Sequence, residues 1–91
     1  MTIPEKKYIL YIDRKFYKDL TSIDTIYHEK IIQAVFDLEI NPRPYGYKQL
    51  KGFKNLFRIR VGDYRIIYNI NEGVITVTVL KASHRKNSYR F

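Results

Sequence analysis

The sequence predicts an α+β domain in which a short strand and a two-helix hairpin precede an antiparallel sheet of about four strands. Three observations predict it. Apolar residues recur at helical spacing between Phe16 and Leu38 and alternate from Leu56 onward. The alternating runs are divided by Gly62-Asp63 and Glu72-Gly73, both two-residue hairpin signals. At 91 residues the chain has the length of one domain, so residues 1–91 are read as a single unit.

Each element follows from its residues. Tyr8-Ile9-Leu10-Tyr11-Ile12 is a short apolar run rich in β-formers and reads as a strand. Asp13 can cap a short helix that carries Phe16, Tyr17 and Leu20 inward and breaks at Thr21-Ser22. A second helix starts near Asp24, with Tyr27, Ile31, Ala34, Val35 and Leu38 on one face. It ends at Asn41-Pro42, because the residue before a proline disfavours the helical region. Pro42–Phe53 holds two prolines and two glycines without a period and reads as a loop. The remainder is a three-strand meander, and the first strand completes the sheet.

Two-residue turns would fix the register. Around Gly62-Asp63, Val61 then faces Tyr64, Arg60 faces Arg65 and Ile59 faces Ile66. Around Glu72-Gly73, Ile70 faces Ile75, Asn69 faces Thr76 and Tyr68 faces Val77. One sheet face becomes an apolar core of Phe57, Ile59, Val61, Tyr64, Ile66, Tyr68, Ile70, Ile75, Val77 and Val79. The other carries Arg58, Arg60, Arg65, Ile67, Asn69, Thr76, Thr78 and Leu80, and Lys81–Phe91 follows as a short basic tail.

Composition excludes several classes. An apolar fraction of 45% with 15% aromatics is too rich for a disordered chain. No run approaches the roughly 18 apolar residues of a membrane span, and the N-terminus does not read as a signal peptide. The lack of cysteine removes disulfides, thiolate zinc sites and cysteine nucleophiles. A soluble, cytoplasmic protein with no membrane partner is the expectation. The net charge of +8 is unevenly spread. Residues 1–42 carry six basic and seven acidic side chains, whereas residues 43–91 carry eleven basic ones against Asp63 and Glu72 alone. Such asymmetry points to an acidic partner: nucleic acid, anionic lipid or an acidic protein.

Arg60 opposite Arg65, with Arg58 two residues along, is costly in a hairpin, because like charges facing each other across strands destabilise it. Arginine forks match phosphate oxygens, so the cluster suits a phosphate held between guanidiniums; the alternative is three solvated side chains. Aromatics among cations in the tail suit stacking on unpaired bases or anchoring of the terminus, and Phe91 fits the anchor. His28 and His84 lack the companions of a metal site, no glycine-rich phosphate loop is present, and no cofactor is expected.

Lys48-Gln49-Leu50-Lys51-Gly52, the run Phe57-Arg58-Ile59-Arg60-Val61-Gly62-Asp63-Tyr64-Arg65-Ile66-Ile67-Tyr68 and the closing His84-Arg85-Lys86-Asn87-Ser88-Tyr89 together resemble the RelE family. These are ribosome-dependent mRNA endonuclease toxins of toxin–antitoxin pairs. The resemblance implies a RelE-like fold and metal-free cleavage, in which the ribose 2′-hydroxyl attacks the adjacent phosphorus. Carried over by position, Arg65 stabilises the transition state, and Arg58 and Arg60 fill two basic strand positions that are often lysines. Arg85 contacts the transition state or donates a proton, Tyr89 is the general base, and His84 shares acid–base work. Arginine stays charged, so no role that needs a deprotonated amine falls to positions 58 or 60. Lys48, Lys51, Lys54, Lys81 and Lys86 are then the RNA-binding cations. The implied partners are ribosome, mRNA and a cognate antitoxin. Two alternatives stay open: a ParE-like gyrase inhibitor of the same fold, and a non-enzymatic nucleic-acid-binding module.

Overall fold

The structure is a computed structural model and describes residues 7–86. Strand β1 (Ile9–Ile12) leads into helix α1 (Arg14–Thr21), a single 3-10 turn (Thr25–Tyr27) and helix α2 (His28–Asp37). Four more strands follow: β2 (Lys48–Gln49), β3 (Leu56–Val61), β4 (Tyr64–Asn71) and β5 (Thr76–His84). Among the described residues they form one five-stranded sheet of order β1-β5-β4-β3-β2. The α+β class therefore holds, with two refinements. The sheet is mixed, because β1 runs parallel to β5. The supposed loop contains β2, which adds a fifth strand by pairing Lys48 with Arg58 and Gln49 with Phe57.

Local chemistry sets the helix ends. Asp13 caps α1 by accepting from the Lys15 N–H at 2.8 Å, and Asp24 caps the 3-10 turn by accepting from the Ile26 N–H at 3.1 Å. Helix α2 stops at Asp37, and the chain unwinds through tighter turns before Pro42, where the Ile40 and Asn41 amides both bond the Asp37 carbonyl. Phe16 and Leu20 of α1 are buried, but Tyr17 is 55% exposed rather than inward. Phe16, Ile31, Val35 and Leu38 pack with Ile59, Ile66, Tyr68, Ile70, Val77 and Val79 into one core between helices and sheet.

The register differs from the expected one at a single turn. Gly62-Asp63 does join β3 and β4 with Val61 opposite Tyr64, Arg60 opposite Arg65 and Ile59 opposite Ile66. The second turn, however, spans Glu72–Ile75, so Ile70 faces Val77, Asn69 faces Thr78 and Asn71 faces Thr76. Asn71 is the cause: its side-chain oxygen accepts from the Gly73 and Val74 amides at 2.9 and 3.2 Å and closes a side-chain turn. Ile75 ends that turn at φ 53, an uncommon conformation for a β-branched residue. The shift is two residues, an even number, so side chains near the turn keep their faces.

Farther along β5 the faces do change. Tyr68 pairs with Val79 but Ile67 pairs with Lys81, so Leu80 is the extra residue of a β-bulge. Beyond it Ala82 enters the core, and Lys81 and Ser83 turn to the opposite face. Lys81–His84 thus belong to β5 and not to a tail.

Candidate nucleic-acid interface

The face of the sheet away from the helices carries the basic residues in rows. Lys48, Arg58, Ile67 and Lys81 lie side by side across β2, β3, β4 and β5. The adjacent row is Arg60, Arg65 and Ser83. Five cations therefore share one face, brought together by pairing of segments far apart in sequence. Arg58 and Arg65 are half-buried and Arg60 is exposed. Ile67 was expected on the open face; it is on that face but fully buried, flanked in its row by Arg58 and Lys81. Long basic side chains cover apolar surface with their stems, which also restrains where their charged ends sit.

Arg85 leaves β5 beside the Gly62-Asp63 turn. Its backbone N–H donates to the Asp63 carbonyl at 2.6 Å, and its Nε donates to Asp63 Oδ1 at 2.9 Å. Gly62 permits the turn through its left-handed φ of 60, and Tyr27 packs on it from the helix side. Asp63, a turn residue, also fixes where Arg85 lies. The Gly-Asp pair alone gave no hint of this, because the contact spans 22 residues.

His84 is not brought to the arginines. The bulge gives it the parity of Ala82, so it faces the helix side opposite Tyr64, whose ring it meets edge-on at 5.2 Å. Its Nδ1 accepts from the Lys86 N–H at 3.1 Å. His84 and the Arg60–Arg65 pair therefore lie on opposite faces of the sheet. Lys51 and Lys54 are exposed at the tip of the β2–β3 hairpin, at the end of β3 far from Arg60. Gln49 closes that tip by donating to the Phe53 and Lys54 carbonyls at 3.1 and 2.8 Å. Lys86 is exposed just beyond β5, near Arg85. Tyr89 and Phe91 lie outside the described residues. No helix among the described residues is long and apolar enough to cross a membrane.

A second arginine environment sits at the other end of the sheet. Arg43 pairs with Glu72 at 2.7 Å, and Tyr8 donates to the same carboxylate at 2.9 Å. Burial and the bond to Glu72 raise the Tyr8 phenol above its ordinary value, while the bond to Glu72 holds the Arg43 guanidinium more firmly protonated. Arg43 also sits 5.9 Å from the centre of the Phe57 ring.

Known proteins share this fold. A family model described as the ParE toxin of type II toxin–antitoxin systems, parDE, matches residues 10–89. Toxin RelE3 of Methanocaldococcus jannaschii is 29% identical over 82 residues, covering 86% of this chain and 91% of its own. The RelE–RelB complex of Pyrococcus horikoshii contains a chain of TM-score 0.77 and 27% identity, with 91% and 100% covered. A toxin–antitoxin complex, RelBE2, of Mycobacterium tuberculosis gives 0.75 and 26%, with 88% and 100% covered. This chain belongs to the family of ParE- and RelE-type toxins of type II toxin–antitoxin systems.

Proposed function

We propose that the chain is a cytoplasmic mRNA endonuclease that cuts transcripts on the ribosome and is neutralised by a cognate antitoxin. The observation that carries this reading is the pair of cationic rows, above all Arg60 directly opposite Arg65 with Arg58 beside them. Like charges held side by side suit a ligand that brings two or more negative oxygens, as a phosphodiester does. The 2′-hydroxyl of the ribose attacks the neighbouring phosphorus, the 5′-oxygen leaves, and charge accumulates on the non-bridging oxygens between them. Arg60 and Arg65 balance that charge, and Arg58, Lys48 and Lys81 hold the flanking backbone. Arg85, aimed by Asp63, contacts the transition state or protonates the leaving oxygen. Tyr89 takes the 2′-hydroxyl proton. Lys51 and Lys54, more distant, and Lys86 beside Arg85 steer RNA. Antitoxin binding is supported by the relatives that assemble with RelB.

A second reading, inhibition of DNA gyrase by binding, is what the resemblance to ParE implies, and the matching family model is described as a ParE toxin. Binding alone has no need of Arg65, Arg85 and Tyr89 together. Toeprinting in a reconstituted translation reaction separates the two. The parent should cut mRNA in the ribosomal A site. Arg65→Ala should lose about 10²–10³-fold in single-turnover rate while remaining folded, because its side chain lies on the face away from the core. Tyr89→Phe should lose about 10²–10⁴-fold with ribosome binding unchanged. An uncut transcript with inhibited gyrase supercoiling would establish the second reading instead.

A further inference from the structure

Strand β1 covers β5 only as far as Val79, where Asp13 donates its backbone N–H to the Val79 carbonyl at 2.8 Å and the chain turns away into α1. Beyond that point the edge of β5 faces α1 across a cleft of about 570 Å³. Lys15, Asp19 and Ser22 line it from α1 and its end, and Lys81, Ser83 and His84 line it from β5. Two of those residues also belong to the basic rows: Lys81 is in register with Ile67 beside Arg58, and Ser83 is the partner of Arg65. The cleft therefore begins where the arginine face ends.

Its polar groups favour an anion. The acid on the wall, Asp19, is already engaged: one oxygen meets the Lys15 ammonium, and the other accepts the Ala82 N–H at 2.9 Å. His84 uses Nδ1 to accept from Lys86, which places its own proton on Nε2. The Ser83 hydroxyl oxygen is buried and makes no hydrogen bond among the described residues. A buried hydroxyl left so is costly unless a bound group completes it. Beside the Lys15–Asp19 pair, Lys81, His84 and the exposed Ser22 line a space large enough for a nucleotide's phosphate and sugar.

We propose that this cleft holds a backbone phosphate of the RNA next to the scissile one, so that the strand passes from the arginine rows over the edge of β5 toward α1. The proposal rests on the RNA-cleaving reading of the arginine face and adds the path taken by the flanking nucleotide.

Ser22 tests it, because its side chain is exposed and makes no capping bond. A single-stranded oligoribonucleotide, its 2′-hydroxyls methylated to prevent cleavage, is titrated into the full chain. Ser22→Glu should weaken binding roughly tenfold and Ser22→Lys should tighten it, with the salt slope changing by about 0.7 in each direction. Ser83→Ala should weaken binding about fivefold. In NMR spectra of the parent, the amides of Ser22, Ser83 and His84 should shift with the oligonucleotide far below the concentration at which inorganic phosphate or a mononucleotide moves them. Equal affinity of both Ser22 variants, with unmoved cleft amides, overturns the proposal. So does saturation by inorganic phosphate at the oligonucleotide's own concentration, which would make the cleft a free-phosphate site. Failure of the cleavage reading looks different: transcripts on ribosomes stay intact while the cleft signals still move with RNA.

Discussion

Arg43 and Arg60 are the same residue type at two ends of one sheet, and they are surrounded in opposite ways. Arg43 meets a carboxylate, a tyrosine hydroxyl engaged on that carboxylate and the face of Phe57. The segment carrying it is pinned from inside as well, since Tyr68 donates its hydroxyl to the Pro42 carbonyl at 2.7 Å. Arg60 is exposed, faces Arg65 across the strands and forms no ion pair among the described residues. The first arrangement lowers the energy of the folded chain by itself. The second sets like charges against each other across the strands, which raises it. Charge in this protein is matched where it holds the fold and left in excess where the ligand is expected.

Three measurements test that contrast. The largest effect belongs to the pinned end at high pH. Burial pushes the Tyr68 phenol well above its ordinary 10.0, with Tyr47 raising it further and Arg43 opposing. The folded chain then holds this proton more tightly than the unfolded chain does. Its contribution is complete below pH 10 and drains as the pH rises above that, at up to about 1.4 kcal/mol per pH unit. Denaturant unfolding between about pH 9 and 12 should show this loss in the parent. Tyr68→Phe should start about 1 kcal/mol lower and follow a flatter profile. Parallel profiles would remove Tyr68 as the cause.

Next comes Arg43→Ala, which loses an exposed ion pair and the contact with Phe57. Unfolding should become easier by about 1 kcal/mol, with RNA affinity almost unchanged. The smallest effect has the opposite sign. Arg60→Thr removes a like-charge opposition and supplies a good strand former, so stability should rise by up to about 1 kcal/mol while RNA binding weakens. If Arg60→Thr destabilised the chain as Arg43→Ala does, the two arginines would be equivalent and the contrast would fail.

Much of the fold was legible because each local signal acts over a few residues. Asp13 and Asp24 cap helical turns within reach of their own side chains, and Gly62-Asp63 sets the β3–β4 register unaided. The Arg60–Arg65 pair could be placed from the chain for that reason. Reading failed where a competing bond or a distant partner decided the outcome. The Asn71 side chain overrode the Glu72-Gly73 signal, and β2 exists only because β3 offers it an edge. Tyr17 shares helical spacing with Phe16 and Leu20, but it lies outside the arc that the sheet covers.

By itself the sequence determined the composition of the two sheet faces, the arginine opposition and the family motifs, since period-two alternation and a tight turn leave little freedom. Tertiary structure decided which other groups join them. One extra residue at Leu80 rotated the end of β5, bringing Lys81 and Ser83 to the arginine face and sending His84 away from it. A long-range pair with Asp63 fixed Arg85, and the early end of β1 opened the cleft beside α1. Bulges, edges and ion pairs between remote residues depend on how whole strands fit together, and no local window of sequence encodes that fit.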